Sequence, residues 1–111
     1  MARSTLSAVH DLLPLIARHA DDAERERRLA RSVVDALVNA GVFRLLVPTA
    51  LGGAGASPLE FCEVIETVST VDGATGWCVM ISGCYGYFAG LLPPPAAVEI
   101  FGVPGAVASG T

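Results

Sequence analysis

Residues 72–88 read DGATGWCVMISGCYGYF, and they open the longest uncharged stretch of the chain. No charged residue stands between Asp72 and Glu99, so 26 consecutive residues of a 111-residue chain carry no charge. A stretch of this kind is compatible with a membrane span, a buried core helix or the wall of a ligand pocket. The surrounding sequence has to separate these three environments.

The membrane interpretation is the weakest of the three. A transmembrane helix needs about 20 apolar residues. Residues 74–92 nearly supply them, but they include four glycines and have no Lys or Arg beside either end to orient a span. The segments before them carry amphipathic patterns that need an apolar partner, as in a soluble bundle. A single-span membrane protein stays open as an alternative.

One face of the uncharged stretch has the properties of a ligand pocket. Cys78, Ser82 and Tyr85 follow one another at i, i+4 and i+7, which places them on one side of a helix. Two hydroxyls and a thiol in apolar surroundings are typical of a pocket wall, and the adjoining Trp77 could stack on a flat ligand. Many core helices share this pattern, so a helix covered on every side also remains open.

Charge is distributed unevenly along the chain and excludes a nucleic-acid-binding surface. Hydrophobic residues make up 52% of the sequence and charged residues 16%, which is below the usual quarter. Residues 1–44 hold all seven arginines and a net charge of +1, whereas residues 45–111 hold five acids and no base. There is no basic patch for nucleic acid. Such a charge-poor region predicts burial against other protein.

The cysteines and histidines predict neither a disulfide nor a metal site. Cys62, Cys78 and Cys84 include no CxxC pair, and this usage is typical of reduced, mostly buried thiols in a cytoplasmic protein. His10 and His19 have no ligand partners in register and are interpreted as ordinary helix residues. The N-terminus lacks an uninterrupted apolar core, so a secretory signal is not expected.

Apolar periodicity predicts two helical regions in the first 40 residues. Residues 5–20 place their apolar side chains on one face, with Pro14 as a kink or as the mark of a later start. Residues 22–40 form the second region, which Gly41 stops. The boundary between the two is open, because no helix breaker stands between residues 24 and 31.

The middle of the chain contains the clearest local helix signal. Residues 42–47 predict an extended connector or a brief strand, and the glycines at 52 and 53 predict a turn that needs a permissive backbone, not a phosphate-binding loop. Ser57 and Pro58 have the cap and first-turn positions of a helix that runs to about residue 70. Its polar side is predicted from Glu60, Glu63 and Glu66, and its buried side from Leu59, Cys62, Ile65 and Val68.

Two further helices and a short tail complete the chain. Asp72 is a natural cap for a helix from Gly73 to about Leu91. Pro95 opens a fifth helix, and Gly102 closes it. The small apolar residues 105–111 are typical of the beginning of a strand. We therefore expect an all-α, orthogonal bundle of about five helices.

The order of these features resembles the N-terminal helical domain of the acyl-CoA dehydrogenase superfamily. The matching run is LARSVVDALVNAGVFRLLVPTALGGAGASPLEFCEVIETVSTVDGATGW, with a helix ending in AG, then VFRLLVP, a GG loop, a helix carrying EVIE, and STVDGATGW. The resemblance covers residues 22–110 and departs from the family at Ala30, where a proline is common. It implies a helical domain over residues 1–105 and the start of a middle β-domain at residues 106–111.

The resemblance implies part of a flavin-dependent oxidoreductase. In that superfamily a helical N-domain, a β-domain and a C-terminal helical bundle enclose FAD or FMN, which regions absent from this chain would mostly bind, and a tetramer is expected. The whole enzyme would dehydrogenate an acyl-CoA or, as DGATGW and RLLVP favour, hydroxylate an aromatic substrate with reduced flavin and O₂. The isolated chain would be inactive. The alternative is a stand-alone helical interaction module that pairs through the uncharged helix.

The resemblance also places substrate contacts on the helix that follows Asp72. The family's catalytic base lies further along, so no catalytic residue is expected here: Asp72 is better explained as a cap and Glu99 as a surface residue. The substrate-binding positions implied by the family are Cys78, Val79, Ser82 and Gly86, to which the helical spacing adds Trp77 and Tyr85.

Overall fold

Five α-helices account for most of the chain that the structure describes. The computed structural model describes residues 4–103 and 105–108, and within them there is no β-strand. The all-α fold predicted from the sequence is confirmed. The α-helices are α1 (Thr5–Glu26), α2 (Arg31–Asn39), α3 (Pro58–Ser69), α4 (Gly73–Cys84) and α5 (Pro94–Phe101), and the same residues contain 3-10 helices at Val42–Arg44, Thr49–Leu51 and Tyr85–Leu91.

The main hydrophobic core forms where α3 packs against both α1 and α4. α2 packs on α1, and the 3-10 helix Val42–Arg44 contacts both α2 and α4. Removal of apolar side chains from water is the dominant favourable term in folding, and all of these elements contribute to it. The largest fully buried side chains of this core are Val9, Ile16, Leu37, Val42, Val64, Val68 and Val79.

The first helix is longer than the sequence indicated, and the second is shorter. α1 continues through Pro14 to Glu26, so the second helical region begins at Arg31 and not at residue 22. α1 ends because Arg27 adopts a left-handed backbone conformation, with a φ of 56°. Residues other than glycine rarely do so, since their Cβ approaches the following carbonyl. No glycine or proline stands between α1 and α2, so the sequence contains no signal for the boundary between them.

Residues 42–47 form tight turns, and the prediction of an extended connector or strand is wrong. Gly41 has a φ of 80° and separates α2 from the 3-10 helix that follows at once. A strand would turn alternate side chains to opposite faces. The neighbours Val42 and Phe43 are instead both buried, which a turn permits. The buried side chains of this segment are Val42, Phe43, Leu45 and Val47.

The predicted helix caps are confirmed. The Ser57 hydroxyl accepts a hydrogen bond from the Glu60 amide at 3.2 Å. The Asp72 carboxylate accepts one from the Thr75 amide at 3.0 Å. Each bond satisfies an amide that has no partner within its own helix. α5 likewise begins in the proline run and ends at Gly102 as expected.

The buried side of α3 differs from the prediction. The three glutamates are exposed as expected, and Val68 is buried. However, Leu59 is 69% exposed and Cys62 is exposed as well, while Phe61 and Val64 are buried. The helix is turned so that Phe61, its largest side chain, meets α4 close to Gly83. Burial of this ring removes more apolar area than burial of Leu59 would.

The stretch after α5 contains no strand in the residues that are described. Residues 105–108 begin with a turn, in which the Ala106 amide donates to the Val103 carbonyl oxygen at 3.1 Å. Residues 109–111 lie outside the described residues. The start of a β-domain at residues 106–111 therefore stays a prediction.

Candidate functional site

One face of α4 is held by the chain's own core. Thr75, Gly76, Val79 and Gly83 are buried on this inner face, which lies mainly against α3. Its glycines allow close packing, because a Cβ at Gly83 would stand only 2.7 Å from the ring of Phe61. The uncharged helix is therefore covered on one side.

Four of the predicted substrate residues lie outside this inner face, on the less buried part of α4 and at its end. We call Trp77, Cys78, Ser82 and Tyr85 the outer face of α4. Trp77 is 63% exposed, and the other three are half-buried. None of the four belongs to the buried face; Cys78, Ser82 and Tyr85 follow one another along one side of the helix, and Trp77 adjoins Cys78.

The other two predicted substrate residues, Val79 and Gly86, lie against the core. Val79 has no exposed surface and belongs to the main core. Gly86 is buried, and a Cβ there would stand 2.9 Å from the Val47 side chain. Both residues pack against other parts of this chain, and in this they differ from the residues of the outer face. Substrate contact by any of the six residues stays a prediction.

After Cys84 the helix tightens into a 3-10 helix, and this aligns the side chains that follow. With three residues per turn, residues i, i+3 and i+6 stand one above another. Phe88 and Leu91 form an exposed row that continues from the half-buried Tyr85, and the ring centroids of Tyr85 and Phe88 are 5.9 Å apart. The small Gly86 and Ala89 form the buried row. α-Helical spacing as far as residue 91, as expected from the sequence, does not place Phe88 directly above Tyr85; the 3-10 spacing does.

Two titratable groups, Asp72 and Cys78, lie at or beside the outer face. The Asp72 carboxylate accepts hydrogen bonds from both the amide and the hydroxyl of Thr75, at 3.0 and 2.5 Å, as expected of a cap. Burial, and next the negative charge of Asp72, raise the pKa of the Cys78 thiol. The thiol is therefore neutral at pH 7 and a poor nucleophile. The surface is suited to binding and orienting a ligand through apolar contact and hydroxyl groups.

A large hollow of the described residues lies away from α4, and those residues hold no cluster of metal ligands. A hollow of ≈ 620 Å³ lies between α1 and α2, lined by charged residues that include Asp22, Glu26, Arg28 and Arg31, and none of the six candidates lines it. In the described part of the chain no group of three or more His, Cys, Asp or Glu side chains could hold a metal ion. No helix there is both long and apolar enough to cross a membrane.

The sequence pattern of one protein family matches most of the chain. The family is described as acyl-CoA dehydrogenase, N-terminal domain, and the match covers residues 8–90. The chain belongs to the acyl-CoA dehydrogenase family. Solved structures agree: the HsaA monooxygenase from M. tuberculosis has a TM-score of 0.88 and 35% identity, and the alignment covers 94% of this chain and 28% of that one. The resemblance inferred from the motifs is confirmed.

The relatives of this family member are monooxygenases. The flavin-dependent monooxygenase oxygenase subunit HsaA of Mycobacterium tuberculosis is 37% identical over 101 residues, which are 91% of this chain and 26% of the relative. Indole-3-acetate monooxygenase of Pseudomonas putida is 42% identical over 79 residues, 71% of this chain and 20% of the relative. XiaF from Streptomyces sp., solved with FADH2 and glycerol, has a TM-score of 0.86 at 29% identity, covering 93% and 26% of the two chains.

This family member matches only one part of each relative. The chain spans about a quarter of the length of the relatives it matches. The match lies within the N-terminal domain of the family. The helical body and the outer face of α4 are therefore features of one domain, and about three-quarters of the length of each relative lies outside the match.

Proposed function

We propose that this chain is the N-terminal helical domain of a flavin-dependent monooxygenase that hydroxylates an aromatic substrate with reduced flavin and O₂. The observation that carries the proposal is 37% identity to the M. tuberculosis oxygenase subunit over 91% of the chain. Other relatives are named for indole-3-acetate, p-hydroxyphenylacetate and resorcinol. Those names favour an aromatic substrate over an acyl-CoA.

In this proposal the outer face of α4 forms one wall of the substrate pocket. The Trp77 ring would stack on or meet the edge of an aromatic substrate. The Ser82 and Tyr85 hydroxyls would hydrogen-bond its polar substituents. Pockets combine apolar walls with a few polar groups, which is what this face presents. The four residues would bind and orient the substrate and exclude water, without transferring a proton.

The flavin would be held by other parts of the whole enzyme. When bound, reduced flavin activates O₂ for transfer of one oxygen atom to the substrate. None of the four residues of the outer face carries a positive charge that could pair with the phosphate groups of a flavin. We propose FAD as the cofactor, since the Streptomyces relative is solved with FADH2.

The remaining domains would cover the exposed apolar surfaces. We propose a β-domain that begins near residue 106, a C-terminal helical domain, and a cytoplasmic homotetramer of the whole enzyme. Exposed apolar surface of this extent is unusual on a monomeric protein. It includes Trp77, Tyr87, Phe88 and Leu91 around α4, and Val98, Ile100, Val103 and Val107 in and after α5.

We expect the 111-residue chain alone to self-associate. Its exposed apolar side chains would bury one another in the absence of the covering domains, because removal of apolar area from water is favourable. Sedimentation velocity should show dimers or larger species. The double variant F88E/L91E, which adds charge to the exposed row, should shift the chain toward monomer. A compact monomer of the unaltered chain would contradict the proposed covering.

The proposed activity is tested on the whole enzyme that contains this chain. Supplied with reduced FAD and O₂, it should add one oxygen atom to phenols, indoles or aryl acids, detected by mass spectrometry of the products. Reduction of its bound flavin by an acyl-CoA, without any oxygenated aromatic product, would instead assign it to the dehydrogenase reaction.

The outer face is tested by Ser82→Trp in that enzyme. If Ser82 lines the pocket, an indole at residue 82 would take up space that the substrate needs and raise KM at least about tenfold, equivalent to about 1.4 kcal/mol of binding. Steady-state kinetics measure this. Ala17→Trp, on an exposed position of α1, is the matched control and should leave KM unchanged. Kinetics of Ser82→Trp that equal those of the control would remove Ser82 from the pocket.

A further inference from the structure

Arg44 donates hydrogen bonds to three backbone carbonyl groups from distant parts of the chain. Its guanidinium donates to the oxygens of Leu51 at 2.7 Å, Phe101 at 2.5 Å and Val103 at 3.3 Å. Leu51 ends a 3-10 helix and Phe101 ends α5. The last carbonyl groups of a helix have no partner within it. Arg44 satisfies these carbonyls and joins residues that are 7, 57 and 59 positions away in sequence.

Both the charge and the shape of Arg44 suit this place. The C-terminal end of a helix carries a partial negative charge, which a cation stabilises. The planar guanidinium carries five N–H groups in fixed directions, so one side chain can serve several separate acceptors. Arg44 is also the last basic residue in the sequence. No arginine or lysine further along the chain could replace it.

The stretch that follows α5 has few other attachments to the helical body. Within the described residues, the main contacts of α5 are with two short 3-10 helices, at residues 49–51 and 85–91. Beyond it, Val103 accepts the bond from Arg44, Gly105 turns the chain with a φ of 78°, and Ala108 contacts the small cluster of Val47, Ala89 and Phe101. The Arg44 guanidinium is thus one of the main contacts that attach Phe101 and Val103 to the helical body.

We propose that Arg44 is a positioning residue that holds Val103 and residues 105–108 against the helical body. It thereby sets the direction in which the chain leaves the domain. This direction matters for catalysis only if a further domain follows, and to that extent the inference rests on the proposed function. The clamp itself is a property of the described residues.

Hydrogen–deuterium exchange of the 111-residue chain, at a protein concentration below self-association and read by mass spectrometry, tests the clamp. In Arg44→Met, amides in peptides covering residues 97–108 should exchange at least about tenfold faster, while those of α3 change less than about twofold. Arg44→Lys keeps the charge but not the planar donors, and should show a smaller local increase. Arg31→Met is the control, because Arg31 pairs with Asp35 on the surface of α2.

The distribution of the change decides the outcome. An increase confined to residues 97–108 supports the clamp. An equal increase in every peptide, or none in residues 97–108, overturns it. If Arg44→Met does not fold, the same criterion is applied to Arg44→Lys. Enzyme activity is not measured, so failure here leaves the proposed monooxygenase function standing, and failure of that function leaves the exchange result unaffected.

Discussion

Gly53→Ala is expected to lower the free energy of unfolding by at least about 3 kcal/mol, a large part of the total for a domain of this size. A Cβ at residue 53 would overlap the carbonyl group and the Cβ of Val47. That carbonyl oxygen accepts a hydrogen bond from the Gly55 amide at 2.9 Å. It belongs to the backbone, so it cannot rotate away as a flexible side chain would. Val47 also lies close to Gly86, where an added Cβ would stand 2.9 Å from the Val47 side chain, so its surroundings restrict a shift of the whole residue.

Gly73→Ala is the matched control for this prediction. Gly73 is the first residue of α4, and a Cβ there meets no atom within 4 Å. The change should therefore be neutral or stabilising by about 0.4–1 kcal/mol, since alanine restricts the unfolded chain. Urea unfolding followed by far-UV circular dichroism, at a protein concentration below self-association, measures both variants. Equal stability of the two would mean that Gly53 is not needed for close approach to Val47.

Phe61→Ala is expected to cost about 3–5 kcal/mol, the usual range for loss of a buried aromatic ring. Phe61 is 6% exposed, and its ring lies against Gly83 of α4. α4 has a glycine at this point and cannot fill the space that the ring leaves. The cavity would lie in the main contact between α3 and α4, and the same unfolding measurement detects it.

Leu59→Ala tests the orientation of α3 in the same experiment. Leu59 is largely exposed, so its truncation should change stability by no more than about 0.5 kcal/mol. If Leu59→Ala lowered the free energy of unfolding more than Phe61→Ala does, the buried side of α3 would be the one that the sequence predicts, with Leu59 in the core. The structural assignment of Phe61 to the core would then be wrong.

Local hydrogen bonding explains which elements could be predicted from the sequence. The beginnings of α3 and α4 depend on Ser57 and Asp72, whose side chains accept amide hydrogen bonds from residues three positions further on. Gly41 and Gly102 mark the ends of α2 and α5 in the same local way. Because both partners of each interaction lie within one turn, the residue types suffice to locate it.

The elements that were predicted wrongly have no clear local signal in their residue types. α1 ends at Arg27 in a left-handed conformation, which is uncommon for a residue other than glycine. Residues 42–47 form turns because adjacent side chains must both reach the core. The orientation of α3 follows from the fit of Phe61 beside Gly83, residues from two different helices. Periodicity within one segment carries no information about such fits.

The candidate site divides in the same way. From the sequence alone it followed that a charge-free helix begins after Asp72 and carries Cys78, Ser82 and Tyr85 on one side, with Trp77 adjoining them, because residue spacing on a helix is a local geometry. Only the tertiary structure decided which side of that helix faces α3, and so placed Val79 and Gly86 in the core while leaving Trp77 uncovered. The physical reason is that a helix apolar all round has no polar face to choose its orientation, so the choice depends on where small residues admit a neighbour.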